Sequence, residues 1–386
     1  MMRDHALSHR GYVGGLTGLR GFAAMWVLLY HAWVYSEPRL MMVDVGVANI
    51  DLTPLFSTGW AGVDFFFVLS AFLLTLPFAR WACGEQAFPQ AGPYLFKRFK
   101  RVFPAYWAQL AILLVVALTT GFYTLPSIPD LFAHLAMDFN LPPNWTSPIN
   151  GVWWTLPTEF LFYLLLLPIA FLLKTRATRL ILLSLIMGAW LYRWWVFENF
   201  HDQGAGKMVV LMGNTIGMLD EFIIGTFLAY LYIKNFKEST LRVPSMMFLL
   251  MGIGGVLMCL YSIHWLYGFY WEGHWFLFVK NTLIGVSIAS IMISILIGSG
   301  WALRLFSNPV MMHLGIISYS LYLWHLPVIE LLSKWSFMIN YEGYKLPLML
   351  AVGMPIIWML SYASYRWIER PFLKSRHPEK NQSTTA

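Results

Sequence analysis

Long apolar stretches, separated by short basic or proline-bearing connections, run along the chain from about residue 16 to residue 367. Ten of them have the ~20 residues needed to cross a hydrocarbon core of about 30 Å. They lie near 16–35, 59–79, 103–120, 152–173, 179–198, 208–233, 245–264, 275–297, 309–333 and 346–367. The pattern predicts an all-α, polytopic membrane protein with about ten transmembrane helices. Residues 1–375 form a single membrane domain, and 376–386 a short polar tail. An even number of crossings puts both termini on one side. Two smaller elements are predicted between spans. PYLFKRFKRVFP, residues 93–104, interleaves Phe96, Phe99 and Phe103 with cations and reads as a short interfacial helix. PDLFAHLAMDF, residues 129–139, reads as a short helix across the outer mouth.

Composition agrees. The chain of 386 residues is 58% hydrophobic and only 12% charged, against about 25% charged in soluble domains. The net charge of +7 raises the question of a nucleic-acid partner. Its distribution answers it: 20 of the 26 lysines and arginines fall on the side that holds the termini. That side is therefore cytoplasmic, and the charge reports topology. Arg193 and Lys280 are among the few assigned to the other side. The polar N-terminus lacks a cleavage signal, so the first span is retained. Cys83 and Cys259 are far apart, with no CxxC and no HExxH-like spacing, so neither a disulfide framework nor a metal is expected.

Charge inside a membrane span is costly and marks function by default. Arg20 and His31 both lie in the first span. Eleven residues are three helical turns to within roughly 20°, and their rise is about 16 Å. One face of one helix thus carries a cation near the cytoplasmic surface and an imidazole in the outer half. Asp64, Glu159, Asp220, Glu221 and His325 reach similar depths on four other spans. Arg98 and Arg101 sit at the level of Arg20, and three guanidinium forks there suit phosphate oxygens. Plainer readings stand beside these. Arg20 could be a topology anchor, the 97–101 cluster a lipid-headgroup contact, and the acids and histidines packed polar locks.

Five motifs, in order, resemble the acyltransferase-3 family of integral membrane acyltransferases. LRGFAAMWVLLYH is similar to its first-span signature and GWAGVDFFFVLSAFLLT to its second. KRFKRVFPAYW resembles the Arg-x-x-Arg entry to span three, VWWTLPTEFLFYLLLLP the fourth-span stretch, and ISYSLYLWHLPV a late-span motif. Ala71 replaces a usual glycine, and Glu159 is alone where many relatives have two carboxylates. The chain ends before any hydrolase-like domain that some relatives carry.

The resemblance implies about ten spans in a bacterial inner membrane. It implies acyl transfer, commonly acetyl, from cytoplasmic acyl-CoA to a hydroxyl of a glycan or lipid-linked sugar. Arg20 and His31 are then the essential pair, supported by Arg98, Arg101, Asp64 and Glu159. The expected mechanism holds the acyl-CoA phosphates at Arg20, Arg98 and Arg101 and uses His31 as general base. Asp64 or Glu159 would orient the imidazole. Ser70, Trp153 and Tyr322 are candidate oxyanion donors, with Asp220, Glu221 and His325 as acceptor or support residues. Acyl-CoA is a co-substrate, with no permanently bound cofactor. The expected partners are acyl-CoA, a glycan or other hydroxyl acceptor and membrane lipid, with no nucleic acid. Acceptor, acyl chain, acyl-enzyme intermediate and oligomeric state are left open. A transporter or flippase of lipid-linked saccharides, and a non-catalytic acyl-CoA or lipid sensor, are the competing classes.

Overall fold

The computed structural model describes residues 2–36, 40–139, 147–236, 245–298, 300–335 and 344–373. It is helical almost throughout. One antiparallel two-stranded ribbon, β1 (Met42–Asp44) with β2 (Asn49–Asp51), follows helix α1 (Met2–Val34). After the short α2 (Thr53–Ser57) come α3 (Gly62–Ala82), α4 (Ala91–Thr120), α5 (Ile128–Ala136), α6 (Thr155–Leu172) and α7 (Thr178–Phe200). The second half holds α8 (Ala205–Met212), α9 (Leu219–Leu231), α10 (Ser245–Trp265), α11 (Tyr267–Tyr270), α12 (Phe276–Leu296), α13 (Gly300–Phe306), α14 (Pro309–Ile316), α15 (Ser318–Ser333) and α16 (Lys345–Ser364).

Among the described residues, seven helices are long and apolar enough to cross a membrane, or eight if the bent pair α14–α15 is one span. The sequence led to ten. The difference has local causes. Arg20, Tyr30 and His31 dilute the hydropathy of α1. The stretch 208–233 is not one span but α8 and α9 with an unwound link. There Asn214 Oδ1 accepts from the backbone N–H groups of Ile216 and Gly217, 3.0 Å each, which competes with helix propagation. Thr158 Oγ1 donates to Gly213 O at 3.1 Å, and Thr215 Oγ1 to Thr158 O at 3.0 Å. Side chains thus satisfy backbone that the link frees at membrane depth. The ninth expected span bends by 78° between Ile316 and Ser318.

The interfacial element expected at 93–104 is not separate. It is the first third of the 30-residue helix α4, with Pro104 inside. The short outer helix is present as α5, capped by Ser127, whose hydroxyl accepts from Asp130 N.

Glycines bring α1 close to its neighbours. A Cβ on Gly18 would lie 1.6 Å from Phe306 O, and one on Gly315 would lie 1.8 Å from Thr17 O. This approach seats α1 on α13 and α14, and it also packs against α3 and α15. Arg20 and His31 therefore face protein, not lipid, on the side where α3 and α15 stand.

Candidate active site

An inner chamber of about 120 Å³ lies between α1, α3, α4, α6 and α15. Arg20, Ser70, Arg98, Arg101, Glu159 and Tyr322 are in its wall. Ser70 Oγ donates to Glu159 Oε1 at 2.5 Å. Arg101 Nη1 is 3.2 Å from Glu369 Oε2, and the buried Glu369 also accepts from Ser320 Oγ. Arg20, by contrast, hydrogen-bonds to no described residue, and the buried Nε of Arg98 has no partner among them. The chamber is therefore a cationic pocket whose donors are only partly used.

Tyr322 stands at the other end. It lines the chamber, its ring lies 6.1 Å from that of Phe66, and it is 5.7 Å from the ring of His325. Beyond it the two imidazoles of the first and ninth expected spans meet. His325 Nε2 is 3.2 Å from His31 Nδ1. His31 Nδ1 also lies 2.9 Å from Val27 O, and His325 Nδ1 lies 3.1 Å from Leu321 O. Carbonyls only accept, so each Nδ1 carries a hydrogen. In the neutral pair, His325 Nε2 is then an acceptor, and His31 Nδ1–H is shared between it and Val27 O. The second nitrogen of His31, Nε2, is left with a free lone pair and no hydrogen bond among the described residues. That is the arrangement a base requires.

The helix that carries His325 has a matching local reason for its shape. Pro327 has no N–H, so Leu323 O loses its partner four residues on. Gln109 Nε2 donates to that oxygen at 2.6 Å and Asn150 Nδ2 at 3.0 Å. Trp153 Nε1 donates to Gln109 Oε1 at 2.8 Å. All three residues are fully buried. Gln109 and Asn150 were not singled out from sequence; the proline in a polar late span was the available signal.

Several expected placements change. Asp64 and Glu159 do not touch the imidazoles among the described residues. The partner that orients His31 is His325 with Val27 O, and Glu159 lies at the chamber instead. The donors proposed for the oxyanion are engaged elsewhere. Ser70 binds Glu159, Trp153 binds Gln109, and Tyr322 Oη donates to Val152 O at 2.6 Å and lies 2.9 Å from Thr155 Oγ1.

Asp64, Asp220 and Glu221 belong to a second buried cluster between α3, α7, α9 and α12. Arg193 forks onto Asp220, Nη2 to Oδ2 at 2.7 Å and Nη1 to Oδ1 at 3.1 Å. Its Nε donates to Phe278 O at 2.8 Å and Nη1 also reaches Gly217 O. Thr282 Oγ1 donates to Asp220 Oδ2 at 2.5 Å. Lys280 Nζ donates to Asn281 Oδ1 at 2.9 Å, and Asn281 Nδ2 to Glu221 Oε1 at 2.8 Å. Asp64 lies against Glu221 and Lys280. Arg193 and Lys280, counted on the outer side from sequence, are both buried. A guanidinium bonded through all three of its nitrogens among helices reads as a lock that fixes their mutual position.

Comparison with known proteins agrees with this architecture. The model of an acyltransferase domain, that of the acyltransferase-3 family, matches residues 13–366. The chain belongs to this family. It is 26% identical over 394 residues to the O-acetyltransferase OatA of Staphylococcus aureus (strain NCTC 8325), covering 94% of this chain and 57% of that protein. It is 23% identical over 398 residues to the peptidoglycan O-acetyltransferase OatA of Listeria monocytogenes, covering 95% and 56%. The chain thus spans a little over half the length of the curated relatives it matches. No solved structure gave a significant match. The matched region contains every residue of the chamber and of the imidazole pair.

Proposed function

We propose that the chain is a membrane O-acetyltransferase that takes an acetyl group from cytoplasmic acetyl-CoA and passes it to a hydroxyl of an extracytoplasmic glycan. One observation carries the reading. Arg20, without a hydrogen bond in a cationic chamber, shares a continuous helix with His31, whose Nε2 is free. A rise of about 16 Å separates the two. A donor with phosphates at one end and a thioester on a thin arm at the other matches that spacing. The family membership and the names of the two OatA relatives support O-acetyl transfer, and a peptidoglycan-type glycan is the first acceptor to try.

In this reading Arg20 with Arg98 holds the anionic end of the arm, and the arm passes Phe66 and Tyr322. His31 Nε2 takes the proton of the acceptor hydroxyl as its oxygen attacks the thioester carbonyl. The tetrahedral oxyanion collapses, the C–S bond breaks, and the imidazolium returns the proton to the leaving thiolate. His325 holds His31 Nδ1–H throughout, so the reacting nitrogen stays Nε2. Ten crossings with both termini cytoplasmic, in a bacterial inner membrane, complete the proposal.

The test uses the full chain in lipid nanodiscs with labelled acetyl-CoA and peptidoglycan fragments. Release of CoA with labelled acceptor is expected, and its loss in His31→Gln with acetyl-CoA affinity kept. Glycan transport without CoA release would favour a flippase, and acetyl-CoA binding without turnover a sensor. Full activity in His31→Gln would remove the base assignment.

A further inference from the structure

A second cleft, of about 1170 Å³, opens at the start of α4 and adjoins the chamber, with Arg98 and Arg101 in the lining of both. One wall is the start of α4 with Lys97, Arg98, Lys100 and Arg101. The other is the helical continuation of α16, residues 365–373, with Arg366 and Arg370. No acidic residue lines the cleft among those described. The acid behind it, Glu369, is buried and spent on Arg101 and Ser320. Those two bonds tie the wall after α16 to α4 and α15. Arg366 and Arg370 make no hydrogen bond or ion pair to a described residue, and both line the cleft. Phe96 and Phe372 are exposed apolar rings in its lining.

We propose that this cleft binds the nucleotide of the acyl donor, beyond the diphosphate end of the arm that Arg20 and Arg98 hold, with Arg366 and Arg370 as ligands of its ribose phosphate. This rests on the acyl-CoA reading above and deepens it. The chamber is too small for a nucleotide, because about 120 Å³ holds only a few waters' worth of atoms. The cleft is nearly ten times larger. Several guanidinium and ammonium groups converge where several phosphate charges must be held. An adenine ring has two apolar faces, which Phe96 or Phe372 can cover. The thin arm then has one way to go, past Arg98 and Arg101 into the chamber. Glu369 acts as a positioning residue: it holds the wall against α4 so that cations from two ends of the chain face one ligand.

The experiment compares two donors in one preparation, acetyl-CoA and S-acetylpantetheine, which lacks the nucleotide. In Arg366→Ala/Arg370→Ala the ratio of kcat/KM for acetyl-CoA to that for S-acetylpantetheine falls at least tenfold, through KM. A ratio taken within one preparation is insensitive to a misfolded fraction. Binding of adenosine 3′,5′-bisphosphate, measured by calorimetry, weakens at least tenfold in the same variant, and Arg366→Lys/Arg370→Lys falls in between. Both effects persist in nanodiscs of zwitterionic lipid alone. An unchanged ratio with unchanged bisphosphate affinity overturns the proposal. So does an effect confined to nanodiscs with anionic lipid, which would make the cleft a headgroup site. Wild-type protein that binds neither acetyl-CoA nor the bisphosphate overturns the donor reading itself. Wild-type binding with an indifferent variant overturns only the cleft.

Discussion

His325 Nε2 lies 3.2 Å from His31 Nδ1, and each ring is anchored through Nδ1 to the carbonyl four residues earlier on its own helix. Two helices far apart in sequence thus meet at a single hydrogen bond, and its polarity leaves His31 Nε2 as the free base. His325→Phe keeps the ring volume but removes the acceptor. A fall of about 10²-fold in kcat is expected, with KM for acetyl-CoA within a factor of about two, because general-base catalysis contributes typically 10²–10⁴-fold. His325→Gln, which keeps an acceptor, should recover part of the loss. Equal kcat in the Phe and Gln variants would show that the contact is only packing.

Gln109 answers two orphaned groups at once, Leu323 O and Trp153 Nε1. Gln109→Leu leaves the indole N–H buried without an acceptor and Leu323 O with Asn150 alone. A loss of about 1–3 kcal/mol is expected from a buried polar group left unsatisfied. Thermal unfolding in detergent gives the comparison, and a variant as stable as wild type would count against the accounting.

The Arg193–Asp220 fork is buried and fully bonded. Removing one partner strands a charge, at a cost of about 3–5 kcal/mol. Arg193→Met and Asp220→Leu should each destabilise strongly, while the double variant should cost much less than the two added together. A double-mutant cycle on unfolding midpoints reads the coupling; additive losses would mean that the pair is not a lock.

His134, outside the spans on α5, offers a pH prediction. Ile149 N donates to its Nε2 at 3.2 Å, while its Nδ1 faces Asp130 O at 2.7 Å. Burial pushes its pKa below the ordinary value, and the bonds to Asp130 only partly offset this. The ring is therefore neutral in the folded state. Its contribution to stability is whole above the unfolded value of about 6.5 and falls as pH drops below it, because the unfolded chain takes up the proton first. Below that pH, cleavage by an added protease between residues 121 and 151 should rise, and His134→Asn should flatten the profile.

Much of the site was legible along the chain. The spacing of Arg20 and His31 depends only on helical rise, so it survived folding intact. The shared level of Arg20, Arg98 and Arg101 followed from their places at span edges. The expected partner of His31 did not survive, because depth alone brings five helices to one level and cannot say which faces meet. Asp64 and Glu159 share the outer-half assignment with His325, yet of the three only His325 is bonded to the ring of His31. The burial of Arg193 and Lys280 was hidden for the same reason: a long basic side chain at a span edge can reach either water or a buried carboxylate.

By itself the sequence determined the membrane class, the family and the spacing of Arg20 and His31 on the first helix, all of which arise from local periodicity, composition and motif. Tertiary structure alone decided that a histidine rather than a carboxylate meets the ring of His31, and that a buried Arg193 ties α7 to α9 and α12. It also brought the helical continuation of α16 against the start of α4. Each of these depends on which faces come into contact, and helix packing at glycines such as Gly18 and Gly315, together with bends at Asn214 and Ile317, sets those contacts over distances that no sequence window contains.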